Sequence, residues 1–382
     1  VSYDVVVIGA GSVGTPAAFY LARQGLKVLV IDRLPSPGQG SNKAAIGGVR
    51  ATHSDPAKIR LGLRTIEILT RFEEEFGYDV EWRPGGYVFV AYRPEEERVL
   101  KDLVALQRSF GLNIRWCEGD ELLRIVPDLN PEGLRGGTYS PGDGHCSPLL
   151  LCHAYYELAK KEGVEFRFRE EVVVIEARGG RVHAVRTDRG LYPTAVVLNA
   201  AGAWAAQIGK LLGVDHPVYP DCHEAGITEP VAHFLDPMIV DIRPGPGSAN
   251  CYFHQLATGQ IAFCITPEPP ILGEDRRETS GFLPQVARRI IQVVPRLSGI
   301  RVRRTWRGLY PMTPDGLPLV GWAEEVEGYL VAIGLCGQGV MLGPALGELL
   351  ARLVVGTPCP EDQVVLRNLS PARSFQKEEV LR

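Results

Sequence analysis

Methionine is scarce, at three in 382 residues, and neither sign of charge dominates: 41 Lys and Arg against 45 Asp and Glu leave a net charge of −4. That balance offers no basic face for nucleic acid or an anionic membrane. The eight cysteines contain no C-x-x-C, which argues against a disulfide framework and a zinc ribbon. Internal repeats and low-complexity segments are absent, as is a recognisable Ser–His–Asp arrangement. One stretch, Gly328 to Gly347, carries no charge, but its six glycines and Pro344 read as strand–turn–helix rather than a membrane span. The first strand begins within a few residues of the start and leaves no room for a signal peptide, so a cytoplasmic protein is expected. A hydrophobic content of 45% and a charged content of 23% are those of a soluble globular chain, long enough for two domains.

What is present concentrates in Tyr3 to Arg33. Val5–Ile8 is a short apolar strand, and Gly9, Gly11 and Gly14 follow in the spacing G-x-G-x-x-G, with Ser12 and Val13 between the last two. A helix follows, with Pro16 in its first turn and Gly25 at its end; Lys27–Ile31 is a second strand that runs into Asp32. Gly9 permits the tight turn, Gly11 lets a pyrophosphate approach the backbone, and Gly14 lets helix and strand pack closely. The helix N-terminus favours phosphate, and Asp32 is placed to accept from a ribose hydroxyl. The expected fold is α/β: a Rossmann-like domain with a second, mainly antiparallel domain of strands plus helices.

Further along, the Gly- and Pro-rich passage PSPGQGSNKAAIGGVR is too broken for a helix and ends on Arg50. Apolar residues at three-to-four-residue spacing predict a helix over 56–76. Helices are also expected over about 95–110, 148–161, 284–294 and 341–354. Strands are expected at 86–91, 164–168, 171–177, 182–187 and 195–198, the last running into a second glycine turn at Gly202. Between His216 and Arg304 short strands predominate, with a hairpin loop at Ala257–Gly259. Gly328–Ile333 is a strand that leads into the loop GLCGQG.

Several residues admit two readings. Tyr156 and Lys160 form Y-x-x-x-K, but an i,i+4 pair on an amphipathic helix explains them more simply. His145, Cys146, Cys152 and His153 match no common metal spacing, so no metal is expected. Arg50 either pairs with a structural carboxylate or binds a substrate carboxylate. Tyr252 is either a core tyrosine or a hydroxyl facing a ligand. The Gly334–Gly339 loop is either a close-packed turn or a cradle for negative charge.

Together, VVVIGAGSVG and VIDR at the start, Gly40–Ser41 and Val49–Arg50, VVLNAAGAWA, GLYPMTPDGLPLVG and GLCGQGVMLGPALGELLARL resemble FAD-dependent amino-acid oxidoreductases. These belong to the D-amino-acid oxidase superfamily. The branch resembled is that of sarcosine oxidase, glycine oxidase and dye-linked L-proline dehydrogenase. The resemblance implies FAD held by Gly9, Gly11, Ser12, Val13, Gly14, Asp32 and Arg33, and by Gly40, Ser41, Lys43, Gly47 and Gly48 along the flavin. Val172 would meet adenine, Ala200, Ala201, Gly202 and Trp204 would form the second FAD turn, and Gly308, Gly334, Gly337, Gln338, Gly339 and Val340 would flank the flavin. Arg50 would bind the substrate carboxylate, with Tyr252, Tyr310, Gln338 and Met341 around the reacting centre.

Departures from the pattern refine this. Gly308 stands where monomeric sarcosine oxidase has its flavin-linked cysteine, which implies non-covalent FAD. Tyr310 stands at a carboxylate-binding arginine of glycine oxidase. Met341 replaces a second basic ligand, Ala262 the oxygen-activating lysine and Thr266 an active-site histidine. The expected reaction is oxidation of a small amino acid, foremost sarcosine or a similar N-alkyl glycine, with oxygen as the expected acceptor or another acceptor in its place. L-Proline dehydrogenase or glycine oxidase activity is the alternative. A nicotinamide dehydrogenase and a non-catalytic FAD subunit of a larger complex are the readings from other classes. The expected FAD domain spans 1–86, 145–214 and 315–382, and the substrate domain 87–144 and 215–314.

Overall fold

The computed structural model describes residues 2–376 and 378–381. The strand Tyr3–Ile8 pairs in parallel with Val28–Asp32 on one side and Leu191–Asn199 on the other. Glu165–Phe168 extends the parallel sheet at one edge. Tyr329–Ile333 extends it at the other, and Leu319–Trp322 closes that edge antiparallel. Alternation along the strands sends Val5 and Val7 into one apolar layer and Val6 and Ile8 into the opposite one. The first layer is covered by the helices Gly14–Arg23, Pro148–Lys161 and Gly339–Val354.

Close packing explains the charge-free stretch near the end of the chain. A Cβ on Gly343 would overlap the Ser12 carbonyl, and one on Gly347 would lie 2.8 Å from the Pro16 carbonyl carbon. The last long helix therefore seats directly on the first. Among the described residues no helix is long and apolar enough to cross a membrane.

The helix Pro56–Phe76 matches the predicted span, and its ends show why it starts and stops there. Asp55 caps it, accepting from Ala57 N at 2.8 Å and Lys58 N at 3.4 Å. Gly77 closes it at φ 75°. The loop expected over 35–50 forms no long helix, only a short turn at Asn42–Ala44 and the two-residue strand Gly48–Val49.

The second sheet runs Val302–Met312, Tyr219–Thr228, Ile261–Pro267, Ser248–Gln255, Met238–Asp241, Tyr87–Ala91, Gly136–Ser140 and Arg115–Glu118. Every pairing is antiparallel except Met238–Asp241 with Tyr87–Ala91. The strands at 115–118, 136–140 and 302–312 carry weak alternation and were not expected from the sequence. One face buries Val88, Val90, Cys251, Phe253 and Phe263 beneath the helix Phe282–Val293. The other presents Tyr87, Met238, Val240, Tyr252, Cys264 and Ala225 to a cavity between the two sheets.

Candidate active site

A cavity of about 400 Å³ runs from the first glycine turn to the second sheet. Its nucleotide end is built from backbone. A Cβ on Gly9, at φ +107°, would lie 2.5 Å from the Ala200 carbonyl, and one on Gly14 would overlap the Gly9 carbonyl. Gly11 faces open space. These are the three roles that a pyrophosphate-binding turn requires. Asp32 accepts from Ala10 N through one oxygen and from Leu34 N through the other, each at 2.8 Å. Burial raises its pKa and those two bonds oppose the rise. Its remaining lone pairs can accept from ribose hydroxyls. The Arg33 guanidinium lies 4.4 Å from the Trp204 ring centre, closing the adenine end. These features fit FAD, and the residues that would hold it are those of this end.

Of the residues inferred from sequence, Gly9, Gly11, Ser12, Val13, Asp32, Arg33, Gly40, Ser41, Gly47, Gly48, Val172, Ala200, Ala201, Gly202 and Trp204 line the cavity. So do Arg50, Tyr252, Gly308, Tyr310, Gly337, Gln338, Gly339, Val340 and Met341. Three lie outside the lining. Lys43 is exposed, with its Nζ 3.5 Å from Gln39 Oε1. Gly14 packs under Gly9, and Gly334 packs against Thr313.

The other end of the cavity is chemical. Strand register puts Tyr252 opposite Cys264, and Cys264 opposite Ala225, so the three form a row across one face. Tyr310 approaches from the neighbouring strand, with its hydroxyl 2.6 Å from that of Tyr252. Its ring stacks on His223 at 3.8 Å and 15°. A Cβ on Gly337 would collide with the Tyr310 ring, so the Gly334–Gly339 loop abuts this cluster because it is glycine there. Burial drives the Tyr252 and Tyr310 phenols far above their ordinary pKa and pushes the Cys264 thiol up to about 12. All three are neutral. Burial also lowers the pKa of His223, against the opposing pull of Asp221 3.0 Å from its Nε2.

Arg50 is buried, at 6% exposure, where the strand Gly48–Val49 ends. Its Nη1 donates to the Thr52 carbonyl and to His53 Nδ1, the latter at 3.1 Å. Burial keeps the His53 imidazole neutral, so its Nδ1 can accept. Nη2 donates to the Leu381 carbonyl at 2.6 Å. Three of five N–H groups are thus engaged, which leaves Nε–H and one Nη2–H without a protein acceptor among the described residues. Burial lowers the guanidinium pKa from its usual value, opposed by Tyr87, Glu379 and Asp143.

Tyr87, Met238, Val240, His223 and Cys264 also line the cavity without any mark in the sequence, and so does Cys336 of the GLCGQG loop. Each sits in an ordinary strand or loop, where the face it shows depends on sheet register. Of these, Cys336 alone stands inside a glycine loop of the sequence, and there its backbone takes φ +50°. Ala262 and Thr266, which replace residues of sarcosine oxidase, part company: Thr266 lines the cavity and Ala262 does not. Tyr156 and Lys160 form a cation–π pair at 5.0 Å away from the cavity.

The chain is similar to known proteins in sequence and in fold. The hydrogen cyanide synthase subunit HcnC of Pseudomonas aeruginosa is 28% identical over 94% of each chain. The crystal structure of L-proline dehydrogenase from P. horikoshii is 30% identical, covers 97% of each chain and superposes with a TM-score of 0.91. That of glycine oxidase from Geobacillus kaustophilus is 27% identical over 98% of this chain and 99% of the other, with a TM-score of 0.87. The family described as FAD dependent oxidoreductase (DAO) matches residues 4–353, and the chain belongs to it.

Proposed function

We propose that the protein oxidises the C–N bond of a small secondary amino acid, sarcosine or a similar N-alkyl glycine. The observation that carries this reading is the free edge of Arg50. Two parallel N–H groups on a buried guanidinium match a carboxylate side-on, and Met341 supplies no second cation. Tyr87, Met238, Val240 and Met341 offer apolar wall for a methyl group or a small ring.

FAD, when bound, supplies the two-electron acceptor that takes a hydride from the substrate carbon. The amine must be neutral for its lone pair to form the new C=N bond as the hydride leaves. The site favours that form. Arg50 is cationic, the Tyr252 and Tyr310 phenols are neutral, and His223 is held neutral by burial. An ammonium group would therefore meet a cation and, among the described residues lining this end of the cavity, no carboxylate. Water then adds to the iminium product and releases an aldehyde or its cyclic equivalent with the amine. The first turn of the helix Gly339–Val354 directs N–H groups and positive potential at the cavity, where they can stabilise developing negative charge.

The domain reading is 1–86, 145–214 and 315–382 for FAD and 87–144 and 215–314 for substrate; the membership of the two sheets supports it. L-Proline is the second reading, supported by the likeness to L-proline dehydrogenase. Membership of a larger complex draws support from the likeness to a synthase subunit. Anaerobic titration of the yellow protein with sarcosine, L-proline, glycine and D-amino acids tests the substrate. Bleaching by sarcosine is the expected result, and bleaching by L-proline alone selects the second reading. A flavin that no amino acid reduces would refute both. Reoxidation by air, compared with a dye, then identifies the acceptor.

A further inference from the structure

The residues that hold Arg50 include one that lies 331 positions away, Leu381. Its segment crosses between the two halves of the molecule. At one end, the Glu379 backbone N–H donates to the Asp315 carbonyl at 3.0 Å. Asp315 is itself paired with Arg373 at 2.9 Å. The Glu379 carboxylate lies 3.1 Å from Lys58 Nζ, with both side chains fully buried. It also accepts from Ser54 N at 2.9 Å and Ser54 Oγ at 2.7 Å. Val380 N donates back to Ser54 Oγ at 2.9 Å. At the other end, the Leu381 side chain is 1% exposed and packs with Tyr87, Phe89, Met238 and Val240. Three of those four line the cavity; Glu379 and Leu381 do not.

We infer that the segment Glu379–Leu381 is a positioning element that sets the carboxylate-binding edge of Arg50. This rests on the reading that Arg50 binds a substrate carboxylate. The physical reason lies in the donor count. Without the Leu381 carbonyl, Nη2 would present two free hydrogens, and the guanidinium could turn about its long axis. With it, only the Nε–Nη2 edge remains, so the carboxylate has one way to dock. A buried ion pair such as Lys58–Glu379 is a poor source of net stability, because desolvation offsets the attraction. Its value here is registry: it places the Leu381 carbonyl over Nη2 and the Leu381 side chain behind the apolar wall. Burial works against the Glu379 carboxylate, yet Lys58 and the Ser54 bonds hold its pKa below the ordinary range.

The test compares FAD-loaded wild type, a chain ending at Gln376, Glu379→Gln, Leu381→Ala and Arg50→Ala. Acetate is titrated as a bare carboxylate, read by its perturbation of flavin absorbance. KM and kcat are measured with whichever amino acid bleaches the flavin. The shortened chain should weaken acetate and raise KM by about tenfold or more, the size of one lost charge-assisted hydrogen bond. Its kcat should change by less than about threefold, since orientation and not chemistry is disturbed. Leu381→Ala and Glu379→Gln should shift KM in the same direction by less, and they decide the matter if the shortened chain does not fold. Wild-type acetate affinity in the shortened chain or in both point variants would overturn the inference, provided Arg50→Ala weakens acetate. If Arg50→Ala binds acetate as wild type does, the carboxylate reading of Arg50 fails and the inference fails with it.

Discussion

The hydroxyls of Tyr252 and Tyr310 lie 2.6 Å apart although two strands of the second sheet separate theirs, so one donates to the other and the pair has one proton left to offer. Both phenols line the cavity beside Cys264 and His223. Tyr310→Phe and Tyr252→Phe should each lower kcat/KM by about 2- to 13-fold, the span of a neutral hydrogen bond worth about 0.5–1.5 kcal/mol. The double variant should lose less than the product of the two, because the residues act as one unit. Steady-state kinetics on the three variants measures this, and additive losses would separate the two phenols.

Arg50→Ala should cost about 2–5 kcal/mol of transition-state binding, or roughly 30-fold to several-thousand-fold in kcat/KM. Arg50→Lys should recover only part, since an ammonium cannot offer two parallel donors. Flavin occupancy should stay near that of wild type, because Arg50 lies at the substrate end and Asp32 at the nucleotide end. Loss of flavin with intact reduction kinetics would make Arg50 a structural residue.

Asp32→Ala should weaken FAD binding by about 1.5–3 kcal/mol, or roughly 10- to 150-fold, with little effect on the flavin-saturated enzyme. The loss would combine the ribose bond with the orphaning of Ala10 N and Leu34 N. Fluorescence titration of apoprotein with FAD measures it.

FAD should be released on acid precipitation and colour the supernatant. Gly308 offers no thiolate, and a Cβ there would lie 2.5 Å from that of Ala44. Cys336 lines the cavity, but burial raises its thiol pKa and it sits among Thr313 and the Gly334 carbonyl. Colour retained in the pellet would point to Cys336.

Stability should fall as pH drops below about 6.5, before most carboxylates titrate. Burial lowers His145 to about 3 and His254 to about 4, so both are neutral in the folded protein. The unfolded chain binds protons at both below about pH 6.5, which favours unfolding by up to about 1.4 kcal/mol per pH unit for each. The contribution is therefore full above that pH and is lost as pH falls towards the folded values. Tm measured between pH 7 and 5 should decline in wild type and decline less in His145→Gln/His254→Gln. An unchanged slope would assign the acid sensitivity to other groups, such as buried His53 and His223.

Local chemistry settled the nucleotide end in advance. Gly9, Gly11 and Gly14 act within one turn, and Asp32 ends the next strand, so their spacing along the chain equals their spacing in space. The helix 56–76 was legible because apolar residues recur along it at three-to-four-residue spacing. Strands at 115–118, 136–140 and 302–312 were not legible, because a strand's stability comes from partners and their own alternation is weak.

At the substrate end the balance reverses. The resemblance brought Arg50, Tyr252 and Tyr310 forward, but Tyr87, His223 and Cys264 carry no local mark. They meet because strands far apart in the chain pair in a particular register, and shifting one strand by a residue would turn its side chains to the opposite face. The contact of Arg50 with Leu381 is the extreme case. Composition and spacing determined that this chain builds a dinucleotide turn on a parallel sheet. Only the tertiary structure decided which N–H groups of Arg50 remain free, because that depends on a carbonyl brought from the far end of the chain by a buried ion pair.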